Sequence, residues 1–359
     1  MVIMVAIDMH VKRLVCELGY DKCEPRRGTY ANDLIGHRRL LDDIAILKQE
    51  QKAEDALVAY EASGLGYVLY DRIREAGYQC AVMAPTELLR SASGYKKKTD
   101  KKDCSYIYET MRGHVLADNR LHGIWVPDAQ LRQDREVVRA RFDVGQKLAR
   151  VKTQIHTLLK KFGVQKPEDL NNWTKAFRAW LEETGESMGP GFRIGLETLL
   201  RQLDFLEGEQ THLRQMILEL SQTERYRDQS ERLQKIVGVG LITAMTFLTE
   251  MGDMTRFSNR RQVGSFMGLV PSSYESGEVT DRKGRITRDG PYRIRCVLNQ
   301  ALWMHLKYDG QEKAVYERIV ARNPKRKKKA VVACMRRLGI RMWHIANDVE
   351  SSKKLRLAA

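Results

Sequence analysis

The sequence predicts an α/β domain, then an all-α arm, then a mostly helical C-terminal domain. Three observations carry that expectation. Short β-branched apolar runs alternate with helical periodicity over residues 1–126, two long apolar seams repeat in steps of three and four over 127–225, and helical patterns flank a Gly- and Ser-containing loop over 226–359. A chain of 359 residues with 43% hydrophobic residues has room for two or three domains.

In the first part, "VIMVAID" is a continuous apolar run, "RLVCELGY" alternates, and "ALVAYE" and "YQCAVMAP" read as two further buried strands. "GHRRLLDDIAILKQEQ" and "GLGYVLYDRIREAG" carry helical spacing, so a mixed sheet with helices on it is expected. In the second part, Val137, Val144, Leu148, Val151, Ile155, Leu158 and Phe162 form one seam, with Arg141 in a polar slot. Phe192, Leu196, Leu199, Leu203, Leu206, Leu213, Ile217 and Leu220 form another, with Gln210 in the missing slot. Such spacing suits an antiparallel coiled-coil arm that also pairs with another subunit, or a helical pair closed within one chain. In the third part, "IVGVG" between two helical patterns suits a helix-hairpin-helix-like turn. There Gly238 and Gly240 present backbone N–H groups to a phosphate or simply cap helices.

Lys and Arg number 62 against 46 acids, a net charge of +16, which points to a polyanionic partner and first of all to nucleic acid. No apolar run reaches the roughly 18 residues of a membrane span, and "MVIMVAID" meets an acid too early for a signal peptide. A cytoplasmic, bacterial protein is expected. Six cysteines without a C-x-x-C pair and eight histidines without H-x-x-x-H spacing suggest neither a disulfide framework nor a zinc site, and His10 reads as a bystander to Asp8.

The chemistry lies in four acids. Asp8 ends the first strand, Glu61 ends the third, and Asp100 and Asp103 stand three apart at the start of a helix, among Lys96, Lys97, Lys98, Lys101 and Lys102. Carboxylates inside a lysine cluster repel the phosphate that the lysines attract. Two divalent cations, Mg2+ or Mn2+, remove the conflict by neutralising both, as in a ribonuclease-H-like polynucleotidyl-transferase layout. Singly, Asp100 and Glu61 also suit helix capping, whereas Asp8 within an apolar strand calls for a partner.

The order "AID", "YEASGLGY", "YKKKTDKKD", "IVGVGLITA", "RFSNRRQVGSFMGLVPSSYESG" and "DGPYRIRCVLNQALW" resembles one family along nearly the whole chain. It is similar to transposases of the insertion-sequence one-hundred-ten family, the DEDD transposases. In these a RuvC-like nuclease domain precedes a coiled coil and a C-terminal transposase domain. The resemblance implies that Asp8, Glu61, Asp100 and Asp103 are the DEDD carboxylates and that Ser276 is the catalytic serine. Cys104 stands where the family commonly has alanine. It further implies guidance by a structured bridge RNA, which pairs with target and donor DNA, and assembly as a dimer or tetramer acting at the nucleoid.

The residues themselves single out Ser276 less sharply, because Ser272 and Ser273 lie in the same loop. Gly277 beside it and Arg282, Lys283, Arg285 and Arg288 close behind suit a phosphodiester, and Arg293 and Arg295 are candidate phosphate clamps. Three functions follow from the sequence: an RNA-guided recombinase with a covalent serine–DNA intermediate, a RuvC-like metal-dependent endonuclease cutting branched DNA, and a non-catalytic nucleic-acid-binding scaffold.

Overall fold

A computed structural model describes residues 1–85, 100–276, 279–322 and 324–358, with side chains at 100–102, 273–276, 279–283 and 353–358 outside the description. The chain divides into two compact units, Met1–Pro127 and Asp128–Ala359.

The first unit is built on five strands: β1 (Val2–Met9), β2 (Arg13–Tyr20), β3 (Arg26–Ala31), β4 (Asp55–Glu61) and β5 (Gln79–Met83). They lie in the order β3-β2-β1-β4-β5. β1 pairs antiparallel with β2 and parallel with β4, so the sheet is mixed as expected. The alternation of side chains sorts β1 into two sets. Ile3, Val5 and Ile7 pack with Leu40 and Ile44 of α1 (Leu34–Glu50) and Leu69 and Ile73 of α2 (Val68–Glu75). Met4 and Ala6 pack on the opposite face with Leu57 and Ala59 of β4 and with Cys104, Ile107, Tyr108 and Met111 of α3 (Asp100–Ala117). Burial of both faces explains why "VIMVAI" is apolar without a break. β3 has no such signature. It is an edge strand whose residues are half or fully exposed, and its sequence, RRGTYA, reads as a loop.

The second unit begins with α4 (Ala129–Lys161), followed by α5 (Lys175–Ser187) and α6 (Pro190–Gln222). α4 and α6, of 33 residues each, span about 50 Å at 1.5 Å per residue. They run antiparallel, since Val138 shares a core with Ile217 and Gly195 abuts Leu158. The buried line differs in register from the heptad expectation. Val138, Leu159 and Leu200 are buried, while Val137, Leu158 and Leu199 flank them and Phe162 is 45% exposed. A straight helix drifts about 20° per heptad. α5 adds Phe177 and Leu181 to the core at one end, which draws the buried stripe round.

The remaining helices are α7 (Arg227–Gln234), α8 (Leu241–Met251), α9 (Arg260–Phe266), α10 (Tyr292–Tyr308), α11 (Gly310–Arg322) and α12 (Lys327–Ala358). A hairpin of β6 (Pro271–Ser276) and β7 (Val279–Ile286) precedes α10. Met245, Phe247, Leu298, Leu302, Leu338 and Met342 share one core with Val138 and Ile217, so the base of the helix pair belongs to it. α4 is bolted there by charge. Glu250, 3% exposed, accepts from Arg139 Nε at 3.0 Å and Nη2 at 3.1 Å, with Arg293 Nη1 at 3.8 Å. Arg135 donates to the carbonyls of Thr249 at 2.7 Å and Glu250 at 3.1 Å, closing the end of α8.

Candidate catalytic centre

β1 and β4 are parallel neighbours with Ile7 opposite Tyr60, so the residues that follow, Asp8 and Glu61, stand side by side at the C-terminal ends of the two strands. Both continue the alternation of Met4 and Ala6, and of Leu57 and Ala59, on the face that α3 covers. On α3, Cys104, Ile107 and Met111 form the packed stripe. Cys104 Sγ donates to Ala6 O at 3.3 Å and to Val15 O at 3.4 Å, which fixes the first turns of α3 over the end of β1. Asp103, one residue earlier, is 9% exposed there. Burial, then the charge of Glu17, pushes the Cys104 thiol up to about 12, so it stays neutral and serves packing. Asp100 is the first residue of α3, three before Asp103, and its side chain lies outside the described residues. The same holds for the side chains of Lys101 and Lys102, while Lys96, Lys97 and Lys98 lie wholly outside the described residues.

Two neighbours escaped the sequence reading. His10, taken as a bystander, places Nε2 at 3.1 Å from Asp8 Oδ2. Glu17, on β2, is 2% exposed and accepts from Arg27 Nε at 2.9 Å and Ser105 Oγ at 2.8 Å. It ties α3 to the sheet two residues past Asp103. The signal for Glu17 was present, because an acid within the mostly buried strand β2 needs a partner just as Asp8 does.

The site offers hard carboxylate oxygens, which suit Mg2+ or Mn2+ rather than a thiophilic metal. Among the described residues no three His, Cys, Asp or Glu side chains close round one point. The fit therefore rests on Asp8, Glu61 and Asp103 ending at one side of one sheet face with Asp100 at the adjoining helix start.

In the second unit, Ser276 ends β6 and pairs with Val279, its side chain outside the described residues. Arg282 and Lys283 lie on β7 opposite Tyr274 and Ser273, with side chains likewise outside the description. Ser272 Oγ donates to Arg285 O at 3.0 Å, so this hydroxyl belongs to the hairpin. Arg285 and Arg288 are exposed. Arg293 reaches Asp143 at 3.5 Å and Glu250 at 3.8 Å. Arg295 Nη1 donates to the carbonyls of Met267 and Asp289 at 3.1 Å and of Gly290 at 3.3 Å. Both guanidinium groups thus serve this chain's own packing. Gly238, at φ +83, lies against α10, where a Cβ would meet Ala301 O and stand 2.9 Å from His305 N. Its missing side chain is needed for helix packing. Gly240 caps α8 and has open space around it.

Two family models match the chain, the first of them running past the boundary of the two units to the end of α4. Residues 5–163 match a DEDD family model described as a transposase, and residues 230–317 match the Transposase IS116/IS110/IS902 family. The chain belongs to the IS110 family of transposases. It is 31% identical over 261 residues to y4qE of Sinorhizobium fredii, covering 73% of this chain and 61% of that relative. It is 24% identical over 250 residues to the transposase for insertion sequence element IS1533 of Leptospira borgpetersenii, covering 68% and 69%. With the transposase for insertion sequence element IS1328 of Yersinia enterocolitica the identity is 25% over 286 residues, covering 79% and 80%. Among the described residues no helix is long and apolar enough to cross a membrane.

Proposed function

We propose that this IS110-family chain is the recombinase of its insertion sequence, joining donor and target DNA under the guidance of a structured bridge RNA. The observation that carries the reading is the four-acid arrangement: Asp8 and Glu61 ending adjacent parallel strands, with Asp100 and Asp103 on the helix that covers the same face. A mixed sheet in the order β3-β2-β1-β4-β5 supports a ribonuclease-H-like, RuvC-like domain over residues 1–126. The α4–α6 pair would be the arm over 127–225, and 226–359 the transposase domain carrying Ser276.

Asp8, Glu61, Asp100 and Asp103 would hold Mg2+ or Mn2+, two ions per site, supplying charge neutralisation to a phosphodiester. Ser276 Oγ attacks phosphorus, a Ser–O–P bond forms, the bond to the leaving strand's sugar oxygen breaks, and the serine proton passes to that oxygen. Attack by a sugar hydroxyl of the partner strand reverses these changes and restores both serine and phosphodiester without ATP. Lys96, Lys97, Lys98, Lys101, Lys102, Arg282, Lys283, Arg285 and Arg288 bring positive charge for the strands.

The test is recombination of donor and target DNA in the presence of guide RNA by wild type and by Ser276→Ala. The variant is expected to lose both the recombined product and the covalent protein–DNA adduct. Continued cutting by Ser276→Ala without any adduct in wild type would replace this reading with the RuvC-like endonuclease. Unaltered Mg2+ binding in Asp8→Ala with Asp103→Ala would leave only a binding scaffold.

A further inference from the structure

The turn at Gly238 is fastened to α10 where that helix shows its most exposed aromatic side chains. His305 Nδ1 lies 2.8 Å from Val237 O, and a carbonyl only accepts, so the imidazole donates. A Cβ on Gly238 would stand 3.2 Å from Met304 Cβ, so the turn abuts Met304. Met304 is 47% exposed, Trp303 beside it 53% and Tyr308 60%. Lys307 follows Trp303 by one helical turn, and its Nζ lies 5.1 Å from the centre of the Tyr308 ring. The two rings are five residues apart, about 7.5 Å along the axis, with Lys307 between them on the helix.

Charge identifies the class of partner such a face takes. α10 contains no Asp or Glu, and among its described residues Lys307 is the one charged side chain at a fully exposed position. Asp309, which follows the helix, is turned to His305 at 3.5 Å and Arg341 at 3.7 Å. Protein interfaces are poor in lysine. Flat rings on either side of a lysine suit an unpaired polynucleotide, because each base has a face to stack and each phosphate a charge to neutralise. A duplex offers base edges in its grooves and keeps the base faces stacked inside. In the reading above, the unpaired segments of the guide become paired with DNA, and the DNA strand they displace becomes unpaired. The strand that stays unpaired is therefore DNA.

We propose that Trp303, Lys307 and Tyr308 form a stacking platform for an unpaired DNA strand. The choice of DNA rests on the guided-recombinase reading above, whereas the stacking rests on the exposed rings and the charge about them. Trp303 and Tyr308 take bases on their ring faces, and Lys307 holds a phosphate between them. None of the three acts on the bond that is cut: the platform only holds a strand.

Full-length protein titrated against fluorescein-labelled oligothymidylate, followed by anisotropy at fixed salt without guide or metal, tests this apart from recombination. Trp303→Ala is expected to weaken binding about 5- to 150-fold, the range for loss of one stacked base, and to leave binding of a DNA duplex of equal length within about twofold. Tyr308→Ala should act in the same direction, and it carries the test if Trp303→Ala fails to fold. Trp303→Phe, which keeps a ring, should recover most of the affinity. Lys307→Ala should reduce the salt dependence by one phosphate contact, a change of roughly 0.7 in slope, whereas Trp303→Ala should leave that slope as it is. Oligothymidylate binding within about twofold of wild type in both Trp303→Ala and Tyr308→Ala, or an equal loss for the duplex, would overturn the platform. A loss confined to oligouridylate would give the face to RNA and overturn the assignment to DNA. Recombination by Ser276→Ala reports on the serine reading and oligothymidylate binding by Trp303→Ala on this one, so each can fail alone.

Discussion

Replacing Glu250 by alanine should unfold the second unit far more easily than the loss of one side chain's packing would suggest. The carboxylate is 3% exposed and is gripped by two Arg139 nitrogens at 3.0 and 3.1 Å, with Arg293 at 3.8 Å. Alanine leaves two guanidinium groups at a site shaped for their counter-ion, with Arg293 only 18% exposed. Breaking a buried pair by removing one partner costs about 3–5 kcal/mol. At a urea dependence of about 3 kcal/mol per molar, the midpoint should fall by roughly 1–1.7 M. The assay is urea denaturation followed by tryptophan fluorescence and far-UV circular dichroism. Arg139→Met combined with Glu250→Leu is expected to lie well above Glu250→Ala, because a desolvated pair exchanged for apolar groups is often neutral. A shift below about 0.3 M for Glu250→Ala, or a double variant less stable than the single one, would refute the view that uncompensated charge is what destabilises.

Two further outcomes are expected. Ile194 is 63% and Phe205 66% exposed, eleven residues apart and so on one side of α6, an apolar face that a second subunit would cover if the arm pairs chains as the resemblance implies. Ile194→Glu with Phe205→Glu should lower the oligomer mass in light scattering while leaving the melting temperature within about 2 °C, as expected for surface changes; an unchanged mass would place assembly elsewhere. His37 is held below the ordinary imidazole range, first by burial and then by Arg72, with Asp33 opposing. Its neutral form is therefore favoured by folding, a contribution complete above about pH 6.5 and lost as the pH falls through the lowered value. Melting curves from pH 7.5 to 5 should show a smaller acid loss in His37→Gln than in wild type, and superimposable pH profiles would contradict this.

The sheet and its acids were legible because each is a local fact: an apolar run ends in a carboxylate, and the alternation says which face it joins. β1, β4, α1 and the start of α3 follow from that rule. β3 did not, since an edge strand buries little and pairs through backbone groups that any residue carries. The one-residue offset of the helix seams, seen at Leu158 and Leu199, depends on α5 packing at the end of the pair, which no spacing within α4 or α6 encodes. Arg293 and Arg295 illustrate the same limit for charge. Their partners, Glu250 and the carbonyls about Gly290, are set by tertiary structure, so a cation near a basic loop looked like a phosphate clamp. His10 was set aside because the histidines show no metal-ligand spacing, whereas its nearness to Asp8 arises where the chain turns after β1 ends at Met9.

The two polar slots of the helix seams meet. With its amide oxygen toward Arg141, Gln210 accepts from Nη2 at 3.2 Å and Nη1 at 3.3 Å. Burial, then the neighbouring charge of Arg214, lowers the Arg141 pKa. This rung parts the core at the base, with Val138 and Ile217, from the one beyond it, with Leu148, Ile155, Leu196 and Leu203. The helix pair is thus graduated: a marked zero at Arg141–Gln210 and an outer length with a core of its own. Each turn added to α4 must be matched by one added to α6, and each such pair of turns moves the tip about 5.4 Å outward without disturbing the zero. A lineage needing a different reach between the tip and the base can change it in those steps, leaving the register of everything below the rung as it was.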